Sequence, residues 1–198
     1  MLFYNKYCKK LQKWKVWESM NILIISGSAR EQSNSFGISQ VAEKHLQSKG
    51  VSVSTYDLRR EDLPIFKMEE VQYQNETVMK LVKLAEQSDA FYIVTPEYHN
   101  GISGALKNAL DFLGIDHFKK KPVAIAAAQG GVVGGFNALN QLRLILRSLH
   151  AVTLTEQVIV NMGNFDESQQ LIDKESIQQV TSLADELFDE ANSRLKYV

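Results

Sequence analysis

The chain has 198 residues, a formal net charge of −1, and 44% hydrophobic and 23% charged side chains, which is the size and mix of one soluble globular domain. Its longest apolar run, around 123–128, is strand-sized and far short of the ~20 residues that span a bilayer, so no membrane segment is expected. A single cysteine, Cys8, excludes an internal disulfide or a thiolate metal cluster and suits a reducing cytoplasm. The histidines His45, His99, His117 and His150 lack metal-ligand spacing, and no metal site is expected.

Residues 1–19 carry Lys6, Lys9, Lys10, Lys13 and Lys15 against Glu18 alone, so the remainder holds a net charge of −5, which argues against a nucleic-acid-binding body. The segment has no apolar core of the secretory kind. Met20 directly precedes the first strand, and Trp17-Glu18 must be encoded UGG-GAR, a purine run just ahead of a second AUG. The expectation is one domain over 20–198 behind an over-extended gene start; the alternative is a genuine basic arm that touches a membrane or partner.

From Asn21 strand and helix alternate about five times, the pattern of a parallel sheet covered on both faces. Asn21–Ser26 is the first strand. A helix over 35–49 follows, with Ile38, Val41, Ala42 and Leu46 on one face and Gly50 as its stop. Residues 51–56 alternate apolar and polar, as an edge strand does. Residues 57–67 have no period and contain Pro64, and a helix at 75–88 comes next through Val78, Leu81, Val82 and Ala85. The third strand spans 90–95 and is stopped by Pro96. Residues 101–114 are predicted as the third helix, with Ile102, Ala105, Leu106, Ala109, Leu110 and Leu113 inward. The continuous apolar run 122–128 is a fourth strand buried on both faces. After a glycine-rich loop, Phe136, Leu139, Leu142, Leu146 and Leu149 line a fourth helix. Residues 152–160 form the fifth strand, and a long amphipathic helix over 174–195 closes the chain.

Right-handed crossovers place the loops after the first, third and fourth strands at one end of the sheet, where ligands of open α/β sheets bind. The first, Gly27-Ser28-Ala29-Arg30-Glu31-Gln32-Ser33-Asn34-Ser35, opens a helix whose free N–H groups suit an anion. Ser28, Ser33 and Ser35 add hydroxyl donors, and Arg30 can pair bidentately with phosphate oxygens. The loop lacks the GxGxxG of a dinucleotide fold and the GxxxxGK[ST] of a P-loop, which leaves a monophosphate; the other reading is that the serines and Asn34 merely cap a helix. In the second loop, Gly101 and Gly104 flank a helix start and let a planar ring approach the backbone, while Glu97 fits a capping carboxylate better than an acid–base catalyst. The third, Gln129-Gly130-Gly131-Val132-Val133-Gly134-Gly135, offers a similar approach at the ring's other end or serves only a tight turn.

Together, Gly27-Ser28-x-Arg30-x-x-Ser33, Pro96-Glu97-Tyr98 and Leu106-Lys107-Asn108-Ala109-Leu110-Asp111 resemble the NADPH-dependent FMN reductase family, in particular its azobenzene-reductase-like bacterial members, over about 20–160. The resemblance implies a flavodoxin-like three-layer α/β sandwich with a five-stranded parallel sheet in the order 2-1-3-4-5. It implies FMN as cofactor and NADPH or NADH as electron donor. Ser28, Arg30, Ser33 and Ser35 would surround the FMN phosphate, and Pro96, Glu97, Tyr98, His99, Asn100, Gln129, Gly130 and Gly131 would border the ring. Ser35 and His99 stand where many members carry asparagine; the first still donates to phosphate, and the second bears on which acceptor is taken. A cytoplasmic homodimer or homotetramer is implied as well. Phe112, Leu113, Ile115 and Phe118 form an apolar cluster suited to such an interface, or alternatively to the core.

Hydride chemistry belongs to the flavin, so no residue is assigned as catalytic. The expected activity is an NAD(P)H oxidoreductase working in two half-reactions: the nicotinamide reduces FMN and leaves, and a small acceptor then takes the electrons from the same face. Quinones, azo dyes, free flavins, nitroaromatics and metal oxyanions are all candidates. The alternative is a flavodoxin-type electron carrier serving protein partners, for which a net charge of −5 is mild. A receiver-type signalling domain would need acidic residues where Ser26, Gly27 and Ser28 stand.

Overall fold

The computed structural model describes residues 20–129 and 134–195. Strand β1 (Asn21–Ser26) is apolar on both faces because both are covered: Ile22 and Ile24 enter one core, Leu23 and Ile25 the other. The same two-residue alternation divides β5 (Pro122–Ala128), with Ala124, Ala126 and Ala128 on one side and Val123, Ile125 and Ala127 on the other. The remaining strands are β2 (Ser52–Asp57), β3 (Ala90–Tyr98), the two-residue β4 (Gly101–Ile102) and β6 (Val152–Val160). The main strands are parallel in the order β2-β1-β3-β5-β6, with β4 antiparallel on β3. This is the expected 2-1-3-4-5 order, since β5 and β6 are the predicted fourth and fifth strands.

Helices α1 (Asn34–Ser48) and α6 (Lys174–Leu195) cover one face, through Ile38, Ala42 and Leu46 and through Val180, Leu183 and Leu187. Helices α2 (Glu76–Gln87), α3 (Gly104–Asp111) and α5 (Phe136–Ser148) cover the other, and a single turn, α4 (Ile115–Phe118), follows α3. The result is a three-layer sandwich. None of the described helices is long and apolar enough to cross a membrane.

Four expectations need correction. Pro96 does not end the third strand, which continues to Tyr98. Val94 O accepts from Gly27 N at 2.7 Å, so Val94 and, two residues on, Pro96 direct their backbone groups toward β1. That strand has already left the sheet at Ser26, and the N–H that proline lacks has no partner to miss. Second, the predicted helix over 101–114 is a hairpin, then α3, then α4. Glu97 pairs with Ile102 and Tyr98 with Gly101 around a two-residue turn in which His99 (φ 51°) and Asn100 (φ 64°) are both left-handed, as a type I′ turn requires. Ser103 then caps α3, its hydroxyl accepting from Leu106 N at 3.0 Å.

Third, Phe112, Leu113 and Phe118 fill the core and only Ile115 is exposed, which removes that cluster as a reason to expect self-association. Phe136 departs in the opposite direction. Predicted to face inward, it begins α5 with 61% of its surface exposed.

The α1–α6 seam is tied by His45 and Lys49, which both reach Asp185 (His45 Nε2–Asp185 Oδ1 2.7 Å). Burial alone would raise the Asp185 carboxyl, but the hydrogen bonds and charges of Lys49 and His45 outweigh it and hold the group below its usual value. A carboxylate lowered on folding stabilises the fold above its unfolded pKa of about 3.9 and loses that contribution as pH falls through the lowered value. With Asp185 42% exposed, solvent screening limits the pair to at most about 1 kcal/mol. Asp185→Asn is therefore expected to flatten the acid limb of a plot of Tm against pH, and an unchanged limb would remove the pair from the stability account.

Candidate functional site

The carboxyl ends of β1, β3, β5 and β6 open onto a cavity of about 390 Å³. The loop after β1 forms its floor. A Cβ on Gly27 would lie 2.5 Å from Val94 O and 3.1 Å from Leu106 Cδ2, so glycine allows the loop to lie flat on β3 and α3. The Ser103 hydroxyl, besides capping α3, donates to Gly27 O and fastens the loop there.

Ser28, Arg30, Ser33 and Ser35 all line the cavity. Ser33 is the N-cap of α1, its Oγ accepting from Phe36 N at 3.2 Å, so the capping reading holds for this serine. Ser28 Oγ accepts from Arg30 N at 3.3 Å. Ser35 is different: it is 1% exposed, and its hydroxyl has no hydrogen-bond partner among the described residues. The guanidinium of Arg30 is exposed and makes no ion pair among the described residues. The neighbouring arginines are already engaged. Arg59 Nη2 holds Asp57 Oδ2 at 2.6 Å and its guanidinium lies 3.5 Å over the Phe36 ring; Arg60 holds Glu31.

Pro96, Glu97 and Tyr98 form a second wall, while His99 and Asn100 turn the hairpin outside it. Glu97 Oε2 accepts from Ala138 N at 3.0 Å. It thus caps α5, whose own N-cap, Gly135, supplies no side-chain bond. Glu97 is a capping carboxylate, as the sequence favours, although on a helix 41 residues away rather than at the adjacent one. Asn137 Nδ2 donates to Asn100 Oδ1 at 3.2 Å and Ile102 N donates to Gln141 Oε1 at 2.8 Å, so the hairpin is pinned along α5. Gln129 lines the cavity, its N–H donating to Val160 O at 2.9 Å. Gly130 and Gly131 lie outside the described residues, as do residues 1–19.

The sequence reading missed the fourth wall. A strap over 161–173, between β6 and α6, brings Met162, Phe165, Asp166, Glu167 and Gln169 to the cavity. Its turn is built on Asp166, whose Oδ1 accepts from Ser168 Oγ, Gln170 N and Ser168 N. These bonds, led by that from the Ser168 hydroxyl, hold the Asp166 carboxyl below its usual value. The strap seats on α1 at Gly37, where a Cβ would overlap the Gln169 carbonyl oxygen and lie 3.3 Å from the Phe165 ring. The one signal available beforehand was that glycine, isolated inside a helical pattern.

A phosphate monoester suits the floor of this cavity. A buried hydroxyl in need of a partner, an arginine without an acid and the free N–H groups of a helix start converge there. A parallel sheet in this order, reversing beside β1, with its helices on both faces, is an α/β protein of the flavodoxin-like class. Within that class the chain belongs to the NADPH-dependent FMN reductase family, whose model matches residues 20–165. It is 39% identical over 142 residues to an NADPH azoreductase of Bacillus sp. (strain OY1-2), covering 72% of this chain and 77% of that one. It is 35% identical over 153 residues to an FMN-dependent NADPH-azoreductase of Staphylococcus saprophyticus, covering 74% and 79%. The chain is accordingly an azoreductase-like flavoenzyme of that family. Among solved structures, the fold matches the flavoenzyme NAD(P)H:(acceptor) oxidoreductase FerB of Paracoccus denitrificans, with a TM-score of 0.73 at 23% identity over 88% of this chain and 98% of that one. An archaeal flavodoxin shares it at a TM-score of 0.60 and 12% identity, over 85% and 99%. At these identities the likeness is one of fold.

Proposed function

We propose that the cavity holds FMN and that the protein passes electrons from NADPH or NADH to a small acceptor. The observation that carries this reading is the buried Ser35 hydroxyl, without a partner among the described residues, in a cavity also lined by Arg30, which makes no ion pair among them. Ser28, Arg30, Ser33 and Ser35 would hold the phosphate, and Pro96, Glu97, Tyr98, the turn at His99 and Asn100, and residues 129–131 would border the ring. FMN, when bound, accepts a hydride from the nicotinamide and releases two electrons to the acceptor. The protein's part is to bind, orient and exclude. Ser103 fixes the phosphate loop to α3, and Gln141 and Asn137 fix the hairpin to α5, so the two ends of the cofactor meet pre-set surfaces. Glu97 gives its carboxylate to the N-terminus of α5, which holds the cavity wall to that helix. Self-association as a homodimer or homotetramer, in the cytoplasm, is supported by family membership alone.

The purified protein is expected to be yellow and to lose its visible flavin absorbance within seconds of anaerobic mixing with NADPH. Steady-state kinetics with a quinone or azo dye should give parallel double-reciprocal lines, the mark of two half-reactions in turn. If dithionite bleaches the FMN-loaded protein and excess NADPH and NADH do not, the protein is an electron carrier instead.

A further inference from the structure

The cavity lies at the carboxyl ends of the strands, and the amino ends, at the opposite pole, carry a surface of different character. In a body that is acidic overall, Lys119 and Lys120 from the turn before β5 and Arg147 from the last turn of α5 gather there, all three exposed. Backbone bonds hold these segments side by side: Lys120 N donates to His150 O at 3.0 Å and Val152 N to Lys121 O at 2.9 Å. Arg194, in the last turn of α6, donates from Nη1 to Lys120 O at 3.4 Å.

Cations beside helix C-termini ordinarily serve the final carbonyls or the helix dipole, and two of this group have local partners. Lys121 Nζ donates to Ala85 O at 3.0 Å near the end of α2, and Arg194 pairs with Glu190 at 2.6 Å. Lys119, Lys120 and Arg147 make no side-chain hydrogen bond or ion pair among the described residues. Aliphatic side chains stand exposed among them. Ile115, 42% exposed, lies one turn ahead of Lys119, whose N–H donates to Ile115 O at 2.8 Å. Leu144, 67% exposed, lies one turn ahead of Arg147 on the outer face of α5, and Leu195, 39% exposed, follows Arg194.

Unpaired cations interleaved with exposed aliphatic groups suit an anionic bilayer surface, where headgroups receive the charges and the acyl boundary receives the apolar tips. The apolar members are not the aromatic rings on which nucleic-acid bases stack. The chain outside the described residues adds charge of the same sign at the same pole. Residues 1–19 carry five lysines against one glutamate and join the domain at the amino end of β1. Only β3 stands between β1 and β5, which puts that junction about 10 Å from the start of β5 at the usual strand spacing.

We infer that this pole docks on an anionic phospholipid surface, with Lys119, Lys120 and Arg147 against the headgroups and Ile115, Leu144 and Leu195 at the acyl boundary. The contact is peripheral, leaves the cavity at the far pole open to solution, and does not depend on what the cavity holds.

The test is sedimentation of the full chain with vesicles of phosphatidylcholine alone and of phosphatidylcholine mixed equally with phosphatidylglycerol. It is run at low salt and again at about 1 M salt, where the Debye length is about 3 Å. The anionic vesicles should retain the protein at low salt and release most of it at high salt, and the neutral vesicles should not retain it. Lys119→Gln combined with Lys120→Gln should lower the partition coefficient about thirtyfold, at about fivefold for each charge. Leu144→Ser should lower it severalfold with the Tm unchanged, and a chain beginning at Met20 should still bind. Unchanged binding of the double lysine variant, or complete loss of binding by the chain beginning at Met20, overturns the assignment. So does equal retention by the two kinds of vesicle, and so does capture of a double-stranded oligonucleotide without vesicle binding, which would make this a nucleic-acid surface. Flavin content and reduction by NADPH should match wild type in every variant, so failure of the flavoenzyme reading would show there and leave the vesicle result standing.

Discussion

Replacing Arg30 with alanine is expected to raise the dissociation constant for FMN about ten- to a hundredfold and to leave the Tm of the FMN-free protein where it was. A hydrogen bond to a charged group is worth about 1.5–3 kcal/mol, and the guanidinium makes no ion pair among the described residues that its loss would break. Glu97→Ala should behave in the opposite sense. It removes the cap of α5, supplied to Ala138 N at 3.0 Å, and caps of this kind are worth about 0.5–2 kcal/mol. The Tm should fall, with FMN affinity less affected than in Arg30→Ala. Flavin fluorescence quenching and thermal unfolding of both variants separate the two roles; equal flavin loss in the two would refute the phosphate assignment. The Arg30 contribution should also weaken with added salt, because this side chain is exposed.

The second large effect is expected at Gly37. Inside a helix, glycine to alanine ordinarily stabilises by about 0.5–1 kcal/mol. Here the new methyl would meet the Gln169 carbonyl, a backbone atom that cannot swing aside, with the Phe165 ring 3.3 Å away. Overpacking of this kind costs about 1–3 kcal/mol, so the sign reverses: Gly37→Ala should lower the urea midpoint. It should also open the strap to limited proteolysis and weaken FMN retention, since Phe165, Asp166, Glu167 and Gln169 would leave the cavity wall together. Gly104→Ala, at a helix start where a Cβ meets nothing within 4 Å, is the control for stability. If Gly37→Ala is as stable as wild type, the strap is not seated on α1.

How far the residues reveal their own arrangement varies along the chain. The run 122–128 is legible because seven residues without a polar side chain fit only a strand buried on both faces, and β5 has those bounds. The closing helix is equally plain from its period. The hairpin was hidden because Ile102, Ala105 and Leu106 continue a helical spacing, and because a His-Asn turn lacks the glycine that usually announces a left-handed pair. Ser28, Arg30, Ser33 and Ser35 could be placed at one site because they share one loop. The strap could not: Asp166 and Gln169 reach the cavity through a contact with Gly37, some 130 residues earlier, and no local pattern encodes it. Phe136 misled for a related reason. It starts the apolar series of α5, but as the first residue of that helix it stands 61% exposed.

The distance in sequence between the phosphate loop and the strap also bears on how the chain survives in a cell. A cavity walled by residues near both ends of the domain is complete only when every strand of the sheet has paired, so a partly folded chain has no place for the flavin. A ligand that recognises only the finished fold draws the folding equilibrium toward it by mass action, by about 2.7 kcal/mol when free ligand stands at a hundred times its dissociation constant. On this reading the supply of FMN governs the lifetime of the protein as well as its turnover, and a flavin-starved cell would hold less of the chain, not merely a colourless pool of it.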